Sequence, residues 1–133
     1  MQLIVIGNED VRFYPLLGPF LSRRSVVKEL GYSVWDDDGK KWVVALYGSL
    51  VLGFVGFVYK DSFVELCSDW VQPDCRKRGT YQRLFNCRLE SIGNQNCKAT
   101  VTDMALSVYL NSGFESVRKN GRYTCVERKQ NDS

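Results

Sequence analysis

Between Arg76 and Tyr81 the chain reads R-K-R-G-T-Y, and a periodic apolar stretch follows through Tyr81, Leu84, Phe85, Leu89 and Ile92. A helix therefore starts inside a cluster of positive charge. Cations at a helix N-terminus oppose the macrodipole by about 0.3 to 1 kcal/mol each, so the chemistry that suits this loop is anion binding. A phosphate or diphosphate would be held by the unpaired first amides of the helix, by the close backbone approach that Gly79 permits, and by the charges of Arg76, Lys77 and Arg78. Just upstream, Phe63 to Val71 reads as a strand that Pro73 stops. Strict alternation puts Phe63, Glu65, Cys67 and Asp69 on one face of that strand, and Val64, Leu66, Ser68 and Trp70 on the other. A carboxylate between Phe63 and Cys67 on a central strand is expected to be desolvated, with a raised pKa suited to a general base; the competing reading of Glu65 is a surface ion pair.

Histidine is absent from the 133 residues. That excludes Ser-His and Cys-His catalytic pairs and the common histidine-containing metal sites, and no metal site is expected. The five cysteines, at 67, 75, 87, 97 and 125, are odd in number and lack C-x-x-C spacing, which reads as reduced thiols in a cytoplasmic protein. The opening M-Q-L-I-V-I-G-N-E-D has no basic region ahead of its short apolar run, so it does not read as a signal peptide. No apolar run reaches the length of a membrane span. A formal charge of +3 is too small to argue for nucleic acid by itself, although the local cluster from Arg76 to Arg88 keeps that partner open. The length fits one domain over residues 1–133.

The elements that must position these groups follow in order. Gln2 to Ile6 reads as a strand. Asn8 to Leu30 is helical but broken by Pro15, Gly18 and Pro19, giving two short helices, the second over Ser22 to Leu30. Phe13, Tyr14 and Phe20 read as core, with a place facing substrate as the alternative. Tyr32 to Trp35 could form a short strand before the turn D-D-D-G at Asp36 to Gly39. Lys41 to Tyr47 and Leu50 to Tyr59 form a hairpin around Gly48 and Ser49, with Gly53 and Gly56 marking a bulge or a close approach. Beyond the central strand and helix come a strand at Lys98 to Thr102, a helix capped by Asp103 and stopped by Gly113, and a hairpin of Phe114 to Arg118 with Arg122 to Arg128 around Asn120-Gly121. The tail 129–133 is expected to be disordered. The order βααβββαβαββ predicts an α/β domain with a mixed, largely antiparallel sheet flanked by helices.

Two segments carry a family resemblance. V-Q-P-D-C-R from Val71 to Arg76, running into R-K-R-G-T-Y, resembles the V-x-P-x-x-R then Q/R-x-x-G-x-G/A signature of the GCN5-related N-acetyltransferases, and A-L-S-V-Y-L-N-S-G-F from Ala105 to Phe114 resembles their A-x-x-x-Y-x-x-x-G-F segment. Tyr81 stands where that family has Gly or Ala, and Thr102 where it often has Asn. The resemblance covers about Lys41 to the C-terminus and fits the first 40 residues loosely. It implies acetyl-CoA as co-substrate, with the diphosphate held by Arg76, Lys77, Arg78, Gly79, Thr80 and Tyr81. It also implies that the backbone from Asp69 through Trp70 to Val71 meets pantetheine and supplies an oxyanion donor near Val71. Tyr109 matches the motif tyrosine, implied as the acid for the leaving thiolate, with a core aromatic as the alternative. Glu65 matches the glutamate that histone-acetylating members carry. Asp69 is the second candidate, as base through water or as a clamp on the substrate ammonium.

The leading expectation is an acetyl-CoA-dependent N-acetyltransferase acting by direct attack in a ternary complex. Neither Cys67 nor Cys75 has an activating histidine, which argues against an acyl-cysteine. Its amine acceptor is open between a small molecule, a protein and a modified nucleobase, and its state between monomer and homodimer. The alternatives are a nucleic-acid-binding module built on Arg76, Lys77, Arg78, Arg83 and Arg88, and a CoA-binding relative without catalysis.

Overall fold

The computed structural model describes residues 1–21, 23, 26 and 39–129. The expected helix over Ser22 to Leu30, the short strand at Tyr32 to Trp35, the acidic part of the D-D-D-G turn and residues 130–133 of the tail lie outside the described residues, apart from isolated positions 23 and 26.

Seven strands form one sheet: β1 (Gln2–Gly7), β2 (Lys41–Tyr47), β3 (Leu50–Tyr59), β4 (Val64–Val71), β5 (Cys97–Thr102), β6 (Glu115–Asn120) and β7 (Tyr123–Arg128). Their spatial order is β1-β2-β3-β4-β5-β7-β6. Every neighbouring pair is antiparallel except β4 with β5. That one parallel pair requires a crossover, supplied by helix α2 (Thr80–Ile92). The other described helices are α1 (Phe13–Leu21) and α3 (Asp103–Asn111). This is the mixed, largely antiparallel α/β sheet that the element order predicts. No helix among the described residues is long and apolar enough to cross a membrane.

The sheet has a core on each face. On one side α1 lays Phe13, Leu17 and Phe20 over Trp42, Val44, Phe54 and Trp70. On the other, α2 and α3 pack Leu84, Phe85 and Tyr109 onto Val43, Val55, Leu66 and Val71. The breaks expected at Pro15, Gly18 and Pro19 do not occur, since α1 runs through all three. Pro15 lies in the first turn, where the missing amide has no helical partner to lose. Pro19 costs an internal bond, offset by ring contacts of Phe20 with Phe54 at 5.8 Å and Trp70 at 5.4 Å. Phe13 and Phe20 are core, as expected, whereas Tyr14 is exposed.

What shapes the molecule is a split in the sheet. The β4–β5 ladder runs only from Val64↔Cys97 to Leu66↔Ala99, after which β5 pairs with β7 alone. Just where the strands part, β4 carries a bulge against β3: Gly56 faces Cys67 and Phe54 faces Trp70, three residue steps on β4 against two on β3. Ser68 takes the extra step with φ 60°, in the left-handed region that few non-glycine residues enter. The neighbouring glycines make room. A Cβ on Gly53 would lie 2.8 Å from the Trp70 carbonyl oxygen, and one on Gly56 would lie 2.8 Å from Lys40 Cε. Both glycines thus act as the sequence suggests. The final hairpin turns over Gly121 and Arg122, one residue later than expected, because Asn120 still pairs with Tyr123 and Gly121 supplies the positive φ.

Candidate cofactor cleft and polar cluster

Beyond Leu66 the second half of β4, Cys67 to Val71, has no ladder to β5. At the end of that half-strand the chain makes a 3-10 turn (Pro73–Cys75), passes Lys77 at φ 63° and Gly79 at φ 82°, and enters α2 at Thr80. Gly79, the N-cap residue, offers no side-chain cap. The first helical bond in this turn runs from Arg83 N–H to Gly79 O at 3.1 Å, so the amides of Thr80, Tyr81 and Gln82 precede it. Lys77, Arg78 and Gly79 are exposed, and Thr80 is buried. Arg76 turns back, its Nε donating to Val71 O at 2.9 Å, which ties the loop to the end of β4.

The bulge also corrects the reading of β4. With one extra residue in the strand, Asp69 leaves the face of Glu65 and Cys67 and turns toward α2 and α3. There it meets Arg88, whose side chain is fully buried. Arg88 Nη1 donates to Asp69 Oδ1 at 2.6 Å and to Gly56 O at 3.1 Å, while Nη2 donates to Asp69 Oδ2 at 3.0 Å and to Tyr109 Oη at 2.9 Å. Two phenols complete the cluster, Tyr109 donating to Asp69 Oδ2 at 2.7 Å and Tyr81 at 2.5 Å. Burial pushes both phenols well above the usual tyrosine range. At Tyr81 the Asp69 charge adds to this; at Tyr109 Arg88 pulls down while Asp69 pushes up. Burial by itself would lower the Arg88 guanidinium, but Asp69 outweighs it and holds it well above its ordinary value.

Tyr109 is thus a core aromatic with an engaged hydroxyl, its ring 4.8 Å from Phe85 and 5.1 Å from Phe114. Around it the helix turns Ala105, Leu106 and Val108 toward the core and leaves Leu110 exposed. Asp103 stands in the first turn of α3, and Thr102 is the N-cap. Trp70 places its ring in the core under α1, so only its backbone faces the split.

Glu65 takes the second of its two expected places, a surface ion pair. Its side chain is 47% exposed and sits 4.0 Å from Lys60, so the expected desolvation is absent. It lies on the face opposite α2 and α3, where a hollow of about 660 Å³ is lined by Phe63, Glu65, Cys67, Lys98, Thr100 and Tyr123 among others. Cys67, also there, has its thiol pushed up by burial, which makes it a poor nucleophile. Among the described residues no group of three His, Cys, Asp or Glu side chains is placed to hold a metal.

Arg88 is the residue that sequence reasoning misread, as one of a set of solvent cations. Its position held the signal: residues 81, 84, 85, 88 and 92 form a continuous helical stripe, and an arginine inside an apolar stripe needs a buried partner.

The sequence matches no family model and no curated protein. In structure it is similar to ElaA of Escherichia coli, with a TM-score of 0.81 at 12% identity over 97% of this chain and 100% of that one. An acyl-CoA N-acyltransferase from Pseudomonas aeruginosa gives 0.76 at 14% identity over 96% and 98%. The PaiA N-acetyltransferase of Thermoplasma acidophilum, solved with coenzyme A, gives 0.62 at 14% over 97% and 99%. Taken with the split between β4 and β5, these likenesses show that this chain has the GCN5-related N-acetyltransferase fold.

Proposed function

We propose that this protein is an acetyl-CoA-dependent N-acetyltransferase that passes the acetyl group directly to an amine in a ternary complex. The observation that carries the reading is the placement of an uncapped, cation-flanked helix N-terminus at the mouth of a split between two strands. One end offers amides and positive charge to a diphosphate; the other offers a thioester arm the edge of β4 that has no ladder to β5. The amides of Thr80 and Tyr81 with Lys77 and Arg78 would hold the diphosphate, and a free amide near Val71 would receive the carbonyl oxygen as it gains charge.

The amine attacks from the open face, where Glu65 lines the hollow and can take its proton. As the new C–N bond forms and the C–S bond breaks, the sulfur needs a proton. Tyr109 supplies it by swinging its hydroxyl away from Asp69, with Arg88 left to stabilise the phenolate. Asp69 is the anchor for this phenol, its oxygens already accepting from Arg88, Tyr81 and Tyr109. A cytoplasmic setting fits both acetyl-CoA and the five free thiols. A binding-only reading also has an observation in its favour, since both phenols are engaged with Asp69.

Thermal melting with acetyl-CoA and with CoA tests the cofactor. At 100 times its dissociation constant a ligand adds about 2.7 kcal/mol to native stability, and no shift with either at millimolar concentration would overturn the reading. Mass spectrometry of extracts incubated with the protein and labelled acetyl-CoA then looks for the amine. A melting shift without any labelled product supports the binding-only alternative.

A further inference from the structure

We propose that Arg88 is a positioning residue: with Asp69 and Tyr109 it forms a buried clasp across the split, fixing the width of the cleft that receives the pantetheine arm and the orientation of the Tyr109 hydroxyl. This rests on the CoA-binding reading above. Asp69 belongs to β4 and Arg88 to α2, on one side of the split; Tyr109 belongs to α3, which packs on β5, β6 and β7, on the other. Sheet pairing between the sides ends at Leu66↔Ala99. Past that point the polar links are Tyr109 to Asp69 at 2.7 Å and Arg88 to Tyr109 at 2.9 Å, backed by the packing of Tyr109 on Phe85.

The chemistry of the clasp supports geometry rather than adhesion. A buried ion pair gains little over a well-packed apolar pair because both charges lose their water, so it is a poor device for stability alone. A planar guanidinium gripping both carboxylate oxygens fixes direction as well as distance. Here it also donates to Gly56 O on β3, tying the clasp to the strand that faces the bulge. The bulge, which lies where the strands part, is what turns Asp69 to this side and so supplies a partner for the group that spans the split.

Calorimetry with two probes separates this role from core packing: CoA, and its nucleotide half 3′-phosphoadenosine 5′-diphosphate, which lacks pantetheine. Arg88→Lys keeps the charge and loses the fork. Its affinity for CoA should fall about tenfold or more while that for the nucleotide half stays within about twofold. Tyr109→Phe, which leaves the Asp69–Arg88 pair whole, should give the same pattern, and the double variant should be little weaker than either alone because both break one bridge. If Arg88→Lys does not fold, Tyr109→Phe decides by the same criterion. Unchanged CoA affinity in the folded variants, equal loss for both probes, or additive losses would overturn the clasp and leave the CoA reading standing. Wild-type protein that binds neither probe overturns the CoA reading and the inference with it.

Discussion

The two halves of the sheet are built differently. On β2 and β3 both faces are covered: Trp42, Val44 and Phe54 lie under α1, and Val43, Ala45 and Val55 lie under α2. Over β5 to β7 the described residues place a helix, α3, on one face, and β6 is exposed at every residue. Burial on two sides makes β2 and β3 nearly continuous apolar runs, whereas coverage on one side leaves β5 and β7 alternating. The first half is a scaffold and the second is a surface, and the candidate site lies where they separate.

Breaking the scaffold should have the largest effect. Phe54→Ala removes a ring that touches Phe20, Trp42 and Trp70, and should cost about 3 to 5 kcal/mol in urea unfolding. Val117→Ala on exposed β6 should stay within about 0.5 kcal/mol. Comparable losses at the two positions would mean that the halves are not differently built.

The seam comes next. Gly53→Val pushes a side chain against the Trp70 carbonyl and should cost about 1 to 3 kcal/mol, as overpacking does. It should also weaken CoA binding, since the displaced backbone is the cleft wall. A stability loss with intact binding would separate the bulge from the site.

A smaller and more selective effect belongs to the loop. Gly79→Pro forces a φ near −65° where the chain needs 82°, and Lys77→Glu with Arg78→Glu reverses two exposed charges. Both variants should weaken CoA by about tenfold or more, close to 1.4 kcal/mol, while the charge variant melts near the wild-type temperature. Equal CoA affinity in folded protein would remove the loop from the site.

Smallest is an alkaline effect of the cluster. The phenols of Tyr81 and Tyr109 ionise at higher pH folded than unfolded, so the stability they contribute is complete below about pH 10, the ordinary tyrosine value, and is lost as pH rises toward the folded values. Urea midpoints between pH 8 and pH 11 should fall less steeply in Tyr81→Phe than in wild type. An equal slope would show that Tyr81 takes no part in this limb.

Much of this architecture was legible in the chain. The hairpin at Gly48-Ser49 came out residue for residue because turn chemistry and alternation are local. The cationic loop and the helix after it were also plain, since Pro73, Gly79 and the apolar stripe from Tyr81 act over a few residues. The breaks expected at Pro15, Gly18 and Pro19 do not occur, because propensity there yields to rings packed on the sheet. For Glu65 the local pattern leaves the desolvated base and the surface ion pair equally open, because exposure on one face of β4 is not written in the strand's own residues; its exposed place beside Lys60 matches the ion pair.

By itself, then, the sequence determined the order of the described elements, the cationic turn ahead of α2 and the exclusion of histidine chemistry. Tertiary structure alone decided the grouping of Asp69, Tyr81, Arg88 and Tyr109. One inserted residue at Ser68 reverses the facing of everything after it on β4, and nothing in the alternation of polar and apolar types announces that slip. Arg88 looks like surface charge until Asp69 has been turned to meet it. Whether a charge is solvated or paired in a core depends on partners 19 and 21 residues away in sequence, and only folding brings them within 3 Å.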